Sequence, residues 1–333
     1  MKKILALLLA LWIPAAVLSG CAPQDDSAAS NKLNIVTTIF PAYDWVREIL
    51  GDETDRAEIT TLLDSGVDLH SYQPTVDDIV KISDCDLFLY VGGESDGWVE
   101  DALKNAPNKD RKVIRLLDVL GDSAKAEETV EGMQEEEHDH EEEEHGHEEE
   151  AEYDEHIWLS LKNAQVLVAA ISEALQESDP ARKDTYAANA AAYVEKLSAL
   201  DGEYRAAVDS GKYKTLLFGD RFPFRYLADD YGLDYYAAFP GCSAETEASF
   251  ETVSFLAGKM DALGLPCVLT IEGTQHKIAE TIVQNTAQKN QQVLTMDSMQ
   301  AVTANDAASG VSYLSIMGKN LSVLKKALGQ EAE

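Results

Sequence analysis

Imidazole is the side chain that most readily holds a borderline metal ion at neutral pH, and this chain distributes it unevenly. Of seven histidines, five fall between Gln134 and Leu161: His138, His140, His145 and His147 in a run of glutamates, and His156 where the sequence turns apolar again. Only His70 and His276 lie elsewhere. Between Glu127 and Glu155 there are 17 Asp or Glu and no Lys or Arg, about half of the formal net charge of −33. So acidic a stretch buries too little apolar surface to offset its ordering entropy, so a disordered loop is expected over about residues 124–153. An acidic run alone reads as a solvated linker. Two His-x-His pairs inside it add imidazole to carboxylate, a donor set suited to zinc. Metal handling is the leading reading.

The rest of the chain must position the histidines that lie outside that run. At 333 residues there is length for two domains. Lys2 and Lys3 followed by the apolar Ile4 to Leu18 form a processing signal, too short to be a permanent span. It ends in Leu18-Ser19-Gly20-Cys21, the pattern of a bacterial lipoprotein signal. Residues 1–20 are therefore expected to be removed, Cys21 to carry lipid, and 21–32 to act as a flexible tether outside the cytoplasmic membrane.

Beyond the tether, short β-branched or apolar runs alternate with helical ones: Leu33–Thr38, Ala57–Leu63, Asp86–Gly92 and Lys112–Leu117 read as strands. Thr75 with Asp78 three residues on reads as a capped helix start. The alternation resumes from Thr215 to the last helix, Tyr313–Ala327. Between the two halves, Ile157–Ser178 reads as a helix, and Asp179-Pro180 opens another that runs to Gly211. The fold class expected is α/β: a lobe over 33–178 and a lobe over 212–333, each with a parallel sheet, joined by one long rigid helix over 179–211.

With Cys21 lipidated, three cysteines remain. Cys242 and Cys267 lie in the same half and are the expected disulfide pair, with Cys85 a core residue at a strand start. The acidic balance excludes nucleic acid as a partner, for want of a basic patch. No nucleophile elbow, His-Glu-x-x-His or phosphate-cradling glycine loop occurs, so an enzyme is not expected.

Four segments resemble the metal-binding solute-binding proteins of ABC importers, the zinc and manganese group. Gly66-Val67-Asp68-Leu69-His70-Ser71-Tyr72-Gln73-Pro74-Thr75 is similar to that family's G-x-D-x-H-x-[YF]-x-P-[ST] segment, and Asp154-Glu155-His156-Ile157-Trp158-Leu159 to its D-P-H-x-W-L/M segment. The acidic histidine run stands directly upstream of the second, as in zinc-type members. Leu294-Thr295-Met296-Asp297-Ser298 resembles the late strand end where the family places an aspartate. The resemblance implies metal ligands at His70, His156 and Asp297 in a cleft between the lobes, with the importer permease as partner.

It also implies a third ligand, His or Glu, where this chain has Arg221. A guanidinium only donates, so it cannot ligate a cation. His276 is the expected substitute, and Glu272, Asp220 and Cys242 are weaker claimants. Imidazole-rich donors favour zinc over manganese. The expected function is extracytoplasmic capture of zinc by a monomer, lipid-anchored or periplasmic; the alternative is a manganese or other divalent-metal protein acting as a surface adhesin or metal buffer. The acidic run would be an auxiliary, weaker site. Deleting residues 135–150 is therefore expected to leave one tightly bound zinc per chain in a calorimetric titration, and loss of that ion would make the run itself the site.

Overall fold

The computed structural model describes residues 32–104, 106–134, 152–243, 247–273 and 276–330. Cys21 and the histidines at 138, 140, 145 and 147 lie outside the described residues. The first lobe runs β1 (Leu33–Thr37), α1 (Phe40–Leu50), β2 (Ala57–Thr61), α2 (Val76–Asp84), β3 (Leu87–Tyr90), α3 (Val99–Lys104), β4 (Lys112–Arg115) and α4 (Leu116–Leu120). Its strands pair in parallel in the order β2-β1-β3-β4. Because helices cover both faces, the central strands are buried along most of their length: Ile35, Val36, Leu87, Phe88 and Leu89 are almost inaccessible.

The second lobe repeats the plan with β5 (Thr215–Arg221), α7 (Arg225–Tyr231), β6 (Asp234–Phe239), α8 (Phe250–Leu263), β7 (Cys267–Thr270), α9 (Lys277–Asn285) and β8 (Gln292–Thr295). Two further helices, α10 (Ala304–Ala308) and α11 (Tyr313–Ala327), complete it. Its parallel order is β6-β5-β7-β8. In each sheet the winding reverses beside the first strand, which opens a crevice at the carboxyl ends of the strands, the usual ligand position in such sheets.

Between the lobes, α5 (Leu161–Ser178) and α6 (Lys183–Ser210) pack side by side. At 28 residues α6 is about 42 Å long at 1.5 Å per residue. Tyr186, Ala190, Tyr193, Leu197, Tyr204, Ala207 and Val208 form its buried stripe at helical spacing. Asn189 donates to the Ile49 carbonyl of α1 at 2.9 Å, and the Tyr204 hydroxyl to the Met317 carbonyl of α11 at 2.7 Å. One helix is thereby fastened to both lobes.

Three local expectations need correction. The helix expected from Ile157 is interrupted: Ile157–Leu159 is a single 3₁₀ turn, and extended Ser160 caps α5 by accepting from Asn163 N at 3.0 Å. The joining helix likewise opens as a 3₁₀ turn, Pro180–Arg182, before α6. The loop expected over about 124–153 is placed at both ends. Ala126 pairs antiparallel with Tyr153, and Gln134 N donates to Ala238 O at 2.9 Å. Lys259 pairs with Glu131 at 2.8 Å, and Arg225 with Glu128 at 3.2 Å. Residues 124–134 thus run as a strap along the second lobe. No helix among the described residues is long and apolar enough to cross a membrane.

The lobes meet through buried hydrogen bonds. Tyr313 N, the first residue of α11, donates to Asp44 Oδ2 of α1 at 2.8 Å, and the Tyr313 hydroxyl to the Trp158 carbonyl at 2.7 Å. Trp158 Nε1 in turn donates to Ser298 O at 2.8 Å. Burial raises the Asp44 carboxyl from 3.8 to about 6. Between those values the folded state keeps a proton that the unfolded chain has shed, so this group's stabilisation is lost as pH rises through the window. Chemical denaturation should show Asp44→Asn gaining stability relative to the parent by on the order of 3 kcal/mol at most between about pH 4 and 6, from roughly 1.4 kcal/mol per pKa unit.

Candidate metal centre

His70 stands just beyond the carboxyl end of β2, in a 3₁₀ turn over Leu69–Ser71. Asp68 caps that turn, its Oδ1 accepting from His70 N at 3.0 Å. The imidazole is turned by what lies behind it: Nδ1 is 2.9 Å from Ser95 Oγ and 3.5 Å from Glu155 Oε2. Glu155 is held in place by Ser95 N, which donates to its Oε1 at 2.8 Å. It is seated against Gly93, where a Cβ would come within 2.5 Å of that same oxygen.

His156 ends the stretch that leads into α5 and is fully buried. Both its backbone N and its Nδ1 lie against Asp154 Oδ1, at 2.8 and 2.9 Å. A carboxylate accepts, so the proton sits on Nδ1 and the Nε2 lone pair faces forward. The Asp154 carbonyl is gripped from the second lobe by the Tyr226 hydroxyl at 3.0 Å.

The two forward nitrogens face one another, His70 Nε2 and His156 Nε2 being 3.2 Å apart. Two nitrogens bound tetrahedrally at about 2.0–2.1 Å from zinc would be about 3.3 Å apart. Burial, and next the neighbouring His156, lower the His70 pKa from 6.5 to about 3, so its ring is neutral and able to donate a lone pair at physiological pH. Glu155 is raised by burial to about 7.

The second lobe contributes a thiol. Cys242 follows β6, and its Sγ and a ring nitrogen from each of His70 and His156 all lie within 4.8 Å of one another. Among the described residues this is the one group of three or more His, Cys, Asp or Glu side chains so arranged. Gly241 makes the approach possible, since a Cβ there would sit 2.9 Å from Phe222 O and 3.2 Å from His156 Nδ1. Cys242 N donates to Glu127 Oε1 at 2.8 Å, so the strap before the acidic run also holds this loop. Burial, and the Asp154 and Glu127 carboxylates, push the Cys242 thiol well up.

Arg221 ends β5 beside this group and is not idle. Its Nη2 pairs with Asp68 Oδ2, and its Nη1 donates to Ser243 O at 3.2 Å. One guanidinium therefore clamps the turn that carries His70 to the loop that carries Cys242. Burial works against the charge of Asp68, but the bond to Arg221, its positive charge and the contacts with His70 together outweigh it and keep the carboxyl below its usual range.

The other expected residues stand outside the group. Glu272 is occupied as an anchor: Oε1 accepts from Ser298 Oγ at 2.7 Å and Gln300 N at 3.0 Å, and Oε2 from Ser298 N at 2.6 Å. Asp297 accepts from Met299 N at 2.8 Å, and burial followed by the Glu272 charge raises its carboxyl to about 6. His276 precedes α9 with a buried Nδ1 that has no hydrogen-bond partner among the described residues. The expected Cys242–Cys267 disulfide is not formed: both thiols are free, Cys267 being buried at the head of β7 while Cys242 faces the histidines. Sequence reasoning ranked Cys242 low because the assumed disulfide would have consumed its sulfur. Asp154, two residues before His156, was legible from the Asp-x-His spacing. Ser95 and Glu127 carried no such signal.

Comparison with known proteins gives the family of the chain. The family model described as zinc-uptake complex component A, periplasmic (ZnuA), matches residues 35–327. The zinc-binding lipoprotein AdcA of Streptococcus pneumoniae is 33% identical over 331 residues, covering 99% of this chain and 62% of that protein. This chain thus spans about six tenths of the length of that curated relative. The high-affinity zinc uptake system protein ZnuA of Bacillus subtilis is 30% identical over 298 residues, covering 90% of this chain and 88% of the relative. The crystal structure of the Zn(II)-bound ZnuA-like domain of S. pneumoniae AdcA superposes with a TM-score of 0.68 at 29% identity, covering 90% of this chain and 100% of that one.

Because Asp154 fixes the tautomer and the aim of His156, its loss should be felt by any ion at the pair. Asp154→Ala is expected to weaken divalent-metal binding about 10- to 100-fold in a chelator competition titration. Unchanged affinity would mean that His156 needs no carboxylate behind it.

Proposed function

Since the chain belongs to the family of zinc-uptake complex component A, we propose that it captures zinc outside the cytoplasmic membrane and delivers it to the permease of an ABC importer. His70 and His156 are ligands, and the protein is a carrier and not an enzyme. The observation that carries this reading is the converging pair of buried Nε2 atoms 3.2 Å apart. Two lone pairs so close repel one another unless a proton or a cation sits between them, and the Asp154 and Ser95 contacts keep both Nδ1 atoms occupied at the rear. Nitrogen donors suit zinc better than manganese, which leans on carboxylates.

Delivery follows from the placement of the donors at the seam of two lobes. An ion bound to residues of both lobes stabilises the closed arrangement, and a permease that distinguishes closed from open then receives loaded protein selectively. Arg221 to Asp68 and Trp158 to Ser298 are bonds that close along the same seam. In this reading the chain works as a monomer held to the membrane by lipid on Cys21, with lobes over 33–178 and 212–333 and the joining helix over 179–211.

The test is zinc binding by the chain lacking residues 1–20 and 135–150. One ion per chain is expected, and His70→Ala and His156→Ala should each cost roughly 100-fold or more, beyond the about 10- to 100-fold loss typical of a residue that only supports a ligand. Tight binding indifferent to both substitutions would refute the site.

A further inference from the structure

We propose that Cys242 is the third protein ligand, so that the ion is held by two imidazoles and one thiolate; this rests on the zinc-capture reading above. Three independent features bring the sulfur to the histidines. Gly241 lets the loop pass between His156 and the Phe222 carbonyl, where a side chain would collide with that oxygen and crowd the ring. Glu127 holds the Cys242 amide from one side. Arg221 holds the Ser243 carbonyl from the other while its second arm grips Asp68, two residues before His70. The loop is therefore fixed on both flanks of the cysteine, and the same guanidinium fixes the turn of the first histidine.

The distances suit sulfur. A tetrahedral zinc with bonds of about 2.3 Å to sulfur and 2.0–2.1 Å to nitrogen needs S···N separations of about 3.6 Å. Sγ and the ring nitrogens already lie within 4.8 Å of one another, which leaves about an ångström to close, within reach of a side-chain torsion. The other two thiols described are excluded by position: Cys85 is buried behind α2 with its Sγ on the Ile82 carbonyl, and Cys267 lies inside the second sheet. On binding, the S–H bond breaks, Sγ gives its electron pair to the ion, and the proton leaves to solvent; nothing is oxidised or reduced. With three protein donors, the fourth position of a tetrahedral ion falls to a solvent molecule.

A thiolate ligand has a signature that no imidazole or carboxylate shares. Cobalt(II), which occupies zinc sites but is coloured, should give an intense sulfur-to-metal charge-transfer band in the near ultraviolet with the chain lacking residues 1–20 and 135–150. Zinc should protect one thiol, identified by mass spectrometry as Cys242, from alkylation. Cys242→Ala should abolish the band and weaken zinc binding at least about 100-fold, more than the loss of a supporting residue, while Cys242→His, which restores a third donor, should recover most of the affinity without the band. Circular dichroism reports whether each variant folds; where one does not, the cobalt spectrum and the protection pattern of the parent protein decide alone. A parent protein that binds zinc through His70 and His156 yet shows no charge-transfer band and leaves Cys242 open to alkylation would overturn the thiolate and leave the zinc reading standing. A parent protein that binds no zinc would overturn both.

Discussion

Everything at the seam of this molecule depends on holding two imidazoles with their Nε2 atoms face to face at 3.2 Å. In water such a pair would rotate apart or share a proton. The second escape is narrowed at His70, where burial and next the neighbouring His156 make a positive charge expensive and drive its pKa to about 3. The first is removed from behind, by Asp154 on one Nδ1 and by Ser95 with Glu155 close by on the other. The protein thus spends stability to keep a site of lone pairs ready, a common arrangement where a ligand supplies the missing favourable interaction. Glu155, raised to about 7 by the same burial, belongs to this strained neighbourhood.

The lobes are built so that neither can hold this arrangement alone. His70 hangs on a turn capped by Asp68, and Asp68 is balanced by Arg221 from the other lobe. The Asp154–Trp158 stretch is gripped at its carbonyls and its indole by Tyr226, Tyr313 and Ser298, all from the second lobe. Behind the seam, α6 touches α1 on one side and α11 on the other, so the hinge is a long packed helix and not a loose linker. Such a helix limits the lobes to small rocking movements, and the hydrogen bonds across the seam are the groups that such a movement would break and remake.

Much of this was legible in the sequence because it rests on short-range patterns. The Thr75–Asp78 capping box, with Thr75 Oγ1 accepting from Asp78 N at 3.2 Å, follows from a four-residue signature. The two parallel sheets follow from alternating apolar runs, and the closeness of His70 to His156 from segments that resemble one family. What failed depended on long-range geometry. The 3₁₀ turn at Ile157–Leu159 exists because Trp158 reaches Ser298, 140 residues away, which no helical periodicity records. The strap of residues 124–134 reads as solvated acid until Arg225 and Lys259 are known to face it. Their place in the same half of the chain pairs Cys242 with Cys267, but Cys267 lies in a sheet and Cys242 in a loop at the seam.

Arg221 makes the same point about substitution. Taken alone, a cation where a ligand is expected looks like a site that has been lost. A guanidinium with two directed arms, however, can do what an imidazole cannot: neutralise the half-buried Asp68 beside the histidines, and hold Ser243 O so that its neighbour points inward. Lysine could balance the charge but not reach both oxygens in fixed geometry. The loop that carries Cys242 can reach the same place as Arg221, since β5 and β6 are adjacent and parallel and their carboxyl ends open onto the same crevice. A metal ion requires a set of electron pairs at given distances and is indifferent to which strand supplies them, so under the proposal made above Cys242, after β6, stands in for the donor that the resemblance implies at residue 221.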